Sequence, residues 1–261
     1  MLSPRPATQP WFYEGVGTAQ WTGTPLRPIL EEADLDEKTI ELVFTGQDQG
    51  VQGGEVQYYQ RSLPVKEVMR DDVLLAYYMN GEPLQPQHGY PVRLLVPGWY
   101  GMTHVKWLKS IEAVDKPFNG YQMIRSYRFA KSVDDPGDPI TLIKVRALMI
   151  PPGIPDFLTR TRLVKAGAVK LSGKAWVGRS DIAHVDVSLD GGQSWSPAHL
   201  GQKIAVHAWR EWEFEWQAAT GSYTLCVRAT DNEGNQQPVT QPWNIQGMAN
   251  NMVQRVNVIV E

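Results

Sequence analysis

Proline and glycine are scattered through this chain at a density that forbids long regular elements. Its 261 residues contain nineteen prolines and twenty-three glycines. They show no repeat and no low-complexity tract. Proline removes an amide donor and fixes φ, while glycine inside a helix costs backbone entropy. Long helices are therefore excluded, and short strands joined by turns are expected. Ten tryptophans and ten tyrosines, within an apolar fraction of 42%, need a packed interior. The length suits one large domain or two ordinary ones.

The formal net charge of -3 argues against nucleic acid as the main partner. It leaves room for a local basic pocket that holds an anion. No stretch is long and apolar enough to cross a bilayer. The opening MLSPRPATQP lacks the apolar centre of a signal peptide, and the compartment is open between cytoplasm and periplasm. The single cysteine, Cys226, excludes an internal disulfide and a thiolate cluster. It sits in YTLCVRA on the opposite parity from Tyr223, Leu225 and Val227, where a small packing residue is expected.

Periodicity gives a coarse map. Leu26, Ile29, Leu30 and Ala33 recur at helical spacing, so Pro25 to Leu35 predicts a short helix. TIELVFT at 39–45 predicts a strand, with the following GQDQGVQGG as a loop. Arg61 to Met69 predicts an entry turn and a short helix. VLLAYYM predicts a strand closed by the Asn80-Gly81 turn. YPVRLLV predicts another, and HVKWLKSIEAV a further strand pair. Residues 116–141 read as a connection between domains. Beyond Ile140 the pattern becomes short alternating strands, which suggests a β-sandwich. In WREWEFEW the inward positions are Arg210, Trp212, Phe214 and Trp216. SLDGGQSW is read as a turn tied by aspartate with tryptophan beneath it, a scaffold feature.

Three stretches are more distinctive than periodicity. They are GVGTAQWTGTPL at 15–26, HGYPVRLLVPGWYGMTHVKWL at 88–108 after VLLAYYMNGEPL, and the series KAWVG, VDVSLDGGQSW and WREWEFEW with the tail WNIQGMANNMVQRVNV. On these, the chain resembles the sulfite oxidase family of molybdopterin-dependent oxidoreductases over nearly its whole length. The resemblance implies an α+β fold. A sulfite-oxidase-type molybdopterin domain, here partial, would cover 1–130, and an immunoglobulin-like β-sandwich dimerisation domain would cover 131–261. In that family the molybdenum-binding cysteine lies in a Cys-x-Gly-Asn-x-Arg type segment, shortly before the stretch matching Pro10-Trp11. Met1 falls after that segment, so no protein metal ligand is expected here, and Cys226 in the second domain is no substitute.

The same resemblance assigns roles. His88, Arg93, Thr103, His104 and Lys106 would hold the cofactor, with Lys106 and the backbone around Thr103 and His104 closing a phosphate site. Asp48 would accept hydrogen bonds from the pterin's N–H edge, since an ionised carboxylate only accepts. Arg93 stands among apolar neighbours without an evident charge partner in its own strand, and such a guanidinium needs an anion. Tyr59 matches the active-site tyrosine, and Trp11 a tryptophan lining the substrate pocket. Trp21, ten residues on, is expected in the core. Arg210 would reach from the second domain toward the anion pocket.

The activity implied is oxygen transfer to sulfite or a related sulfur compound at a molybdenum-molybdopterin centre. Electrons would leave for an external carrier such as a cytochrome, because no haem signature is present. A homodimer is implied. Two alternatives stand beside this: a truncated or split-subunit protein without activity alone, and a binding or assembly module built on the β-sandwich.

Overall fold

The computed structural model describes residues 15–261. Trp11, expected in the substrate pocket, lies outside the described residues.

The first half runs through β1 (Trp21–Pro25), α1 (Leu26–Glu32), β2 (Glu41–Gln52), β3 (Glu55–Pro64), α2 (Val65–Val68), β4 (Leu74–Met79), β5 (Glu82–Pro83), β6 (Arg93–Leu95) and β7 (Leu108–Val114). β4 pairs with β1, β5 and β6, and β2 pairs with β3 and β7. Their inner faces share one core containing Leu42, Phe44, Leu63, Leu94, Val96 and Val105. α1 closes this core with Leu26 and Leu30. Ile29, expected on the same face, is exposed: the buried stripe of this short helix is the i, i+4 pair Leu26 and Leu30 alone.

The segment read as a loop after TIELVFT is a β-hairpin whose turn falls only at Gly53-Gly54, both at positive φ. The register shifts between Thr45 and Gln49, so Asp48 stands on a bulge. Arg61, placed by sequence in an entry turn, is inside β3 opposite Phe44. HVKWLKSIEAV forms the single strand β7, not a pair. A 3-10 turn at Gly101–Thr103 and a backbone reversal at Trp107 (φ 49°) precede it. The Asn80-Gly81 turn is present with both φ angles positive.

The connection at 116–141 has structure of its own: α3 (Tyr121–Ile124) and the hairpin β8 (Arg128–Phe129) with β9 (Asp138–Pro139). Then follow β10 (Arg146–Ile150), β11 (Ile154–Pro155), β12 (Arg162–Val164), β13 (Gly167–Trp176), β14 (Ile182–Ser188), β15 (Ser196–Pro197), β16 (His199–Leu200), β17 (Arg210–Ala218), β18 (Gly221–Asp231) and β19 (Gln254–Val260). They form a four-stranded sheet, β10-β13-β17-β16, and a six-stranded sheet, β11-β12-β19-β18-β14-β15. Trp212, Trp216, Leu171, Val185, Leu225 and Val258 fill the space between them. Cys226 is buried, and its environment pushes the thiol up from its ordinary range. Asp190 ties the SLDGGQSW turn by accepting from the Gln193 and Ser194 amides at 2.9 and 3.0 Å, while the Trp195 indole donates to the Gly192 carbonyl.

The halves are joined by direct contacts. Glu67 of α2 pairs with Arg179 and accepts from the Trp99 indole at 3.2 Å. Asp72 takes Arg70 at 2.5 Å and His207 at 3.0 Å. Beside them Gly98 and Gly178 face each other across the Ile143 amide and carbonyl. A Cβ on either would stand 2.6 Å from the other's carbonyl oxygen.

Candidate cofactor site

Arg93 opens β6, with Leu94 and Leu95 buried after it. Its guanidinium donates to the carbonyls of His88 at 3.0 Å and His104 at 3.3 Å and lies 5.0 Å over the Trp21 ring. Trp21, expected in the core, is instead a half-buried platform for a cation and stands outside the buried cluster of this half. The Arg93 Nε is buried with no partner, and no carboxylate pairs with this side chain among the described residues. Burial lowers its pKa from the usual guanidinium value. A positive group held this way is poised for an anion.

Gly89, in the left-handed region (φ 106°), is the hinge of the pocket. A Cβ there would stand 3.0 Å from the Lys106 Cβ and 3.1 Å from the Arg93 Cβ, so only glycine lets the two cationic stems come this close. The Lys106 ammonium donates to the Gln87 carbonyl at 3.0 Å and sits 4.3 Å from the Trp107 ring centre. Asp48 leans over Gly46, against the Lys106 backbone. Partial burial raises its pKa, and the nearby Lys106 charge opposes that rise.

Tyr59 is on β3, facing this group. Its hydroxyl donates to the Met102 carbonyl. Burial pushes its phenol well above the usual range, with Tyr127 adding to the rise and Arg61 opposing it. Arg61, buried to 2% exposure, donates to the Gln122 carbonyl and lies 5.5 Å from the centre of the Tyr127 ring. No ion pair to Arg61 exists among the described residues; burial lowers its pKa from the usual guanidinium value, and the neighbouring Tyr59 and Tyr127 oppose that fall. Sequence reasoning missed Arg61, Tyr127 and Gln122. The alternation Tyr59, Arg61, Leu63 along one strand was the available signal for the first. The other two arrive from the connection between domains, which carried none.

The structure brings Asp48, Tyr59, His88, Arg93, His104 and Lys106 into one neighbourhood. It changes the expected use of Thr103, His104 and Arg210. The amides of Thr103 and His104 donate to Tyr100 and Gly101 within their own 3-10 turn, at 3.0 and 3.1 Å, and are not free phosphate donors. What Thr103 offers is its hydroxyl, buried and unpartnered. The His104 ring contacts the Trp99 carbonyl at 3.2 Å, and burial lowers its pKa to about 4, so it is neutral at neutral pH. Arg210 is not drawn to this neighbourhood. Its guanidinium donates to the carbonyls of Gly201 at 2.7 Å and Ile182 at 3.1 Å, and Asp181 lies 3.9 Å away. The buried positive end of β17 meets its need for negative partners inside the second domain.

The donor set fits the pterin and phosphate side of a molybdopterin. The Arg93 Nε and Thr103 hydroxyl are buried and lack partners, the Gly89 cradle admits no side chain, and Asp48 is an acceptor. Among the described residues no group of three His, Cys, Asp or Glu could hold a metal ion. The class so defined is a molybdopterin-binding domain joined to a β-sandwich.

Comparison with known proteins agrees. The oxidoreductase molybdopterin binding domain family matches residues 2–122, and the Mo-co oxidoreductase dimerisation domain family matches residues 139–261. Mitochondrial sulfite oxidase of Macaca fascicularis is 34% identical over 267 residues, covering 96% of this chain and 48% of that protein. The NADH nitrate reductase of Lotus japonicus is 30% identical, covering 96% and 31%. The sulfane dehydrogenase SoxCD of Paracoccus pantotrophus superposes with a TM-score of 0.78 at 28% identity, over 93% of this chain and 62% of that one. This chain belongs to the sulfite oxidase family of molybdopterin-dependent oxidoreductases. It spans about half the length of the sulfite oxidases it matches.

Proposed function

We propose that the chain is the pterin-holding part of a sulfite oxidase-like oxidoreductase that acts on sulfite or a related small sulfur oxyanion. The observation that carries this is Arg93, a largely buried guanidinium with an unpartnered Nε, locked beside Lys106 by Gly89. When bound, the molybdenum-molybdopterin group supplies two-electron oxygen transfer. Arg93 and Lys106 would hold its phosphate, with His88 closing the same side and the Thr103 hydroxyl as a further donor. His104 would act through its carbonyl, which fixes the Arg93 fork. Asp48 would accept from the pterin's N–H edge. Tyr59 keeps its proton throughout the physiological range, so its hydroxyl would serve as a donor toward a bound oxyanion once released from Met102. The electron acceptor is an external carrier such as a cytochrome, and the second domain pairs two copies of the chain.

The test is the cofactor content of the full chain purified from a host that makes molybdopterin, read by pterin fluorescence and molybdenum analysis. Pterin near one per chain that falls at least about tenfold in Arg93→Met is the expected result. Pterin-free wild type, or full retention by the variant, overturns the reading.

A second reading, pterin holding without turnover by this chain alone, is favoured by one observation. The single thiol, Cys226, is fully buried in the six-stranded sheet of the sandwich. Fast sulfite-dependent reduction of an artificial acceptor by the purified chain would remove it.

A further inference from the structure

Arg61 carries a charge that neither the packing of the first half nor the pterin contacts use. The residue is 2% exposed, and its Nε is buried without a partner. A guanidinium has five N–H donors. This one donates to a neutral group, the Gln122 carbonyl, and lies 5.5 Å from the centre of the Tyr127 ring. Burying a cation beside neutral partners alone is costly. Holding α3 against the hairpin of β2 and β3 does not require that charge, because the Gln122 side-chain amide also donates to the Gln52 side chain there.

The surroundings favour an anion. Tyr59 and Arg61 are two residues apart on β3, so they share a face with their stems roughly 7 Å apart. Arg61 and Asp48 are both felt at the Tyr59 phenol, with opposite sign. Arg93 and Lys106 face the phosphate side of the pocket, and Arg210 is bound to carbonyls of the second domain. Arg61 is the cation beside Tyr59 that has no such task. Tyr127 is partly exposed, and its backbone stands in the left-handed region (φ 56°), fixed by the Ile140 amide, which donates to the Tyr127 carbonyl at 2.9 Å. That conformation is costly for a tyrosine, and it lays the ring over the guanidinium. A ring face is a weaker partner for a guanidinium than an oxyanion, which accepts charge-assisted hydrogen bonds.

We propose that Arg61 holds the sulfur oxyanion: its guanidinium supplies the positive charge of a subsite shared with the Tyr59 hydroxyl, and the Tyr127 ring is the cover that the anion displaces. Turning that ring about its side-chain bonds opens the guanidinium while the backbone stays in place. The ligand class is a small oxyanion with at least two free oxygens, one for the guanidinium and one for the phenol. An uncharged sulfur compound gains nothing from the guanidinium, so the subsite also sorts substrates by charge. Its use as a substrate subsite rests on the oxidoreductase reading above; the binding of an anion at Arg61 does not.

The experiment is equilibrium dialysis of radiolabelled sulfate against the full chain, for wild type, Arg61→Met, Arg61→Lys, Arg93→Met and Tyr127→Leu. Far-ultraviolet circular dichroism checks that each is folded, and pterin content is read in the same samples. The expected result is sulfate binding that survives in Arg93→Met, weakens at least about tenfold in Arg61→Met and returns in part in Arg61→Lys. Tyr127→Leu, its cover gone, should bind sulfate more tightly. No binding by wild type, unchanged binding by folded Arg61→Met, or loss in Arg93→Met instead overturns the subsite. Should Arg61→Met fail to fold, Tyr127→Leu decides: tighter binding supports the subsite, and equal or weaker binding overturns it. A pterin-free wild type that binds sulfate through Arg61 overturns the cofactor reading and leaves the anion site standing.

Discussion

Arg93 and His104 show how one pocket fixes two charge states. Arg93 stays charged because its partners are carbonyls and an aromatic face, whereas His104 stays neutral because burial lowers its pKa from 6.5 to about 4. Between those values an unfolded chain would bind a proton at His104 that the native chain does not. Stability is therefore full above pH 6.5 and falls as the pH drops toward 4, by at most about 3 kcal/mol. Urea unfolding midpoints across that window should show the fall, and His104→Gln should flatten it. Arg93 was legible in YPVRLLV because apolar neighbours make an arginine conspicuous. Arg61 was not, because a proline three residues on suggests a turn, while β3 in fact continues through Ser62 and Leu63. Arg210 misled for a related reason: strand parity shows that a guanidinium faces inward but not that backbone carbonyls are waiting there.

Among the elements, the sandwich strands were the most legible. Their alternation is enforced by two buried inner faces, and Trp212 and Trp216 fall where WREWEFEW places them. The hairpin of β2 and β3 was the least legible, since a polar run rich in glycine and glutamine carries no periodicity, and the bulge that sets Asp48 is a matter of backbone register. The contact of Gly98 with Gly178 was also invisible, because neither glycine is near the other in sequence. It is a sharp constraint nonetheless. A valine at Gly178 would drive its Cβ against the Gly98 carbonyl, and relief requires the two backbones to separate. Gly178→Val should cost about 2 kcal/mol or more. Calorimetry should show it as broadening or splitting of the main transition, while a variant with unchanged unfolding would count against a close contact there.

For the whole molecule, Glu67 is the junction. It receives Arg179 from the sandwich and the Trp99 indole from the loop after β6, and Arg70 lies 3.7 Å away. Its side chain is 15% exposed, so removing the charge leaves cationic partners poorly compensated in a partly dry interface. Glu67→Gln should lower stability by about 2 kcal/mol and weaken the coupling between the halves, seen as separate denaturant transitions by domain-specific fluorescence. Retained single-step unfolding at wild-type midpoint would show that the glycine contact and the Asp72–His207 pair suffice to hold them. The Gly98–Gly178 meeting occurs only a few residues along the backbone from Arg93. The sandwich is thus a buttress for the strand that aims the guanidinium, and a chimaera that grafted another member's sandwich onto this first half would inherit a shifted anion pocket unless a glycine came with it at that seam.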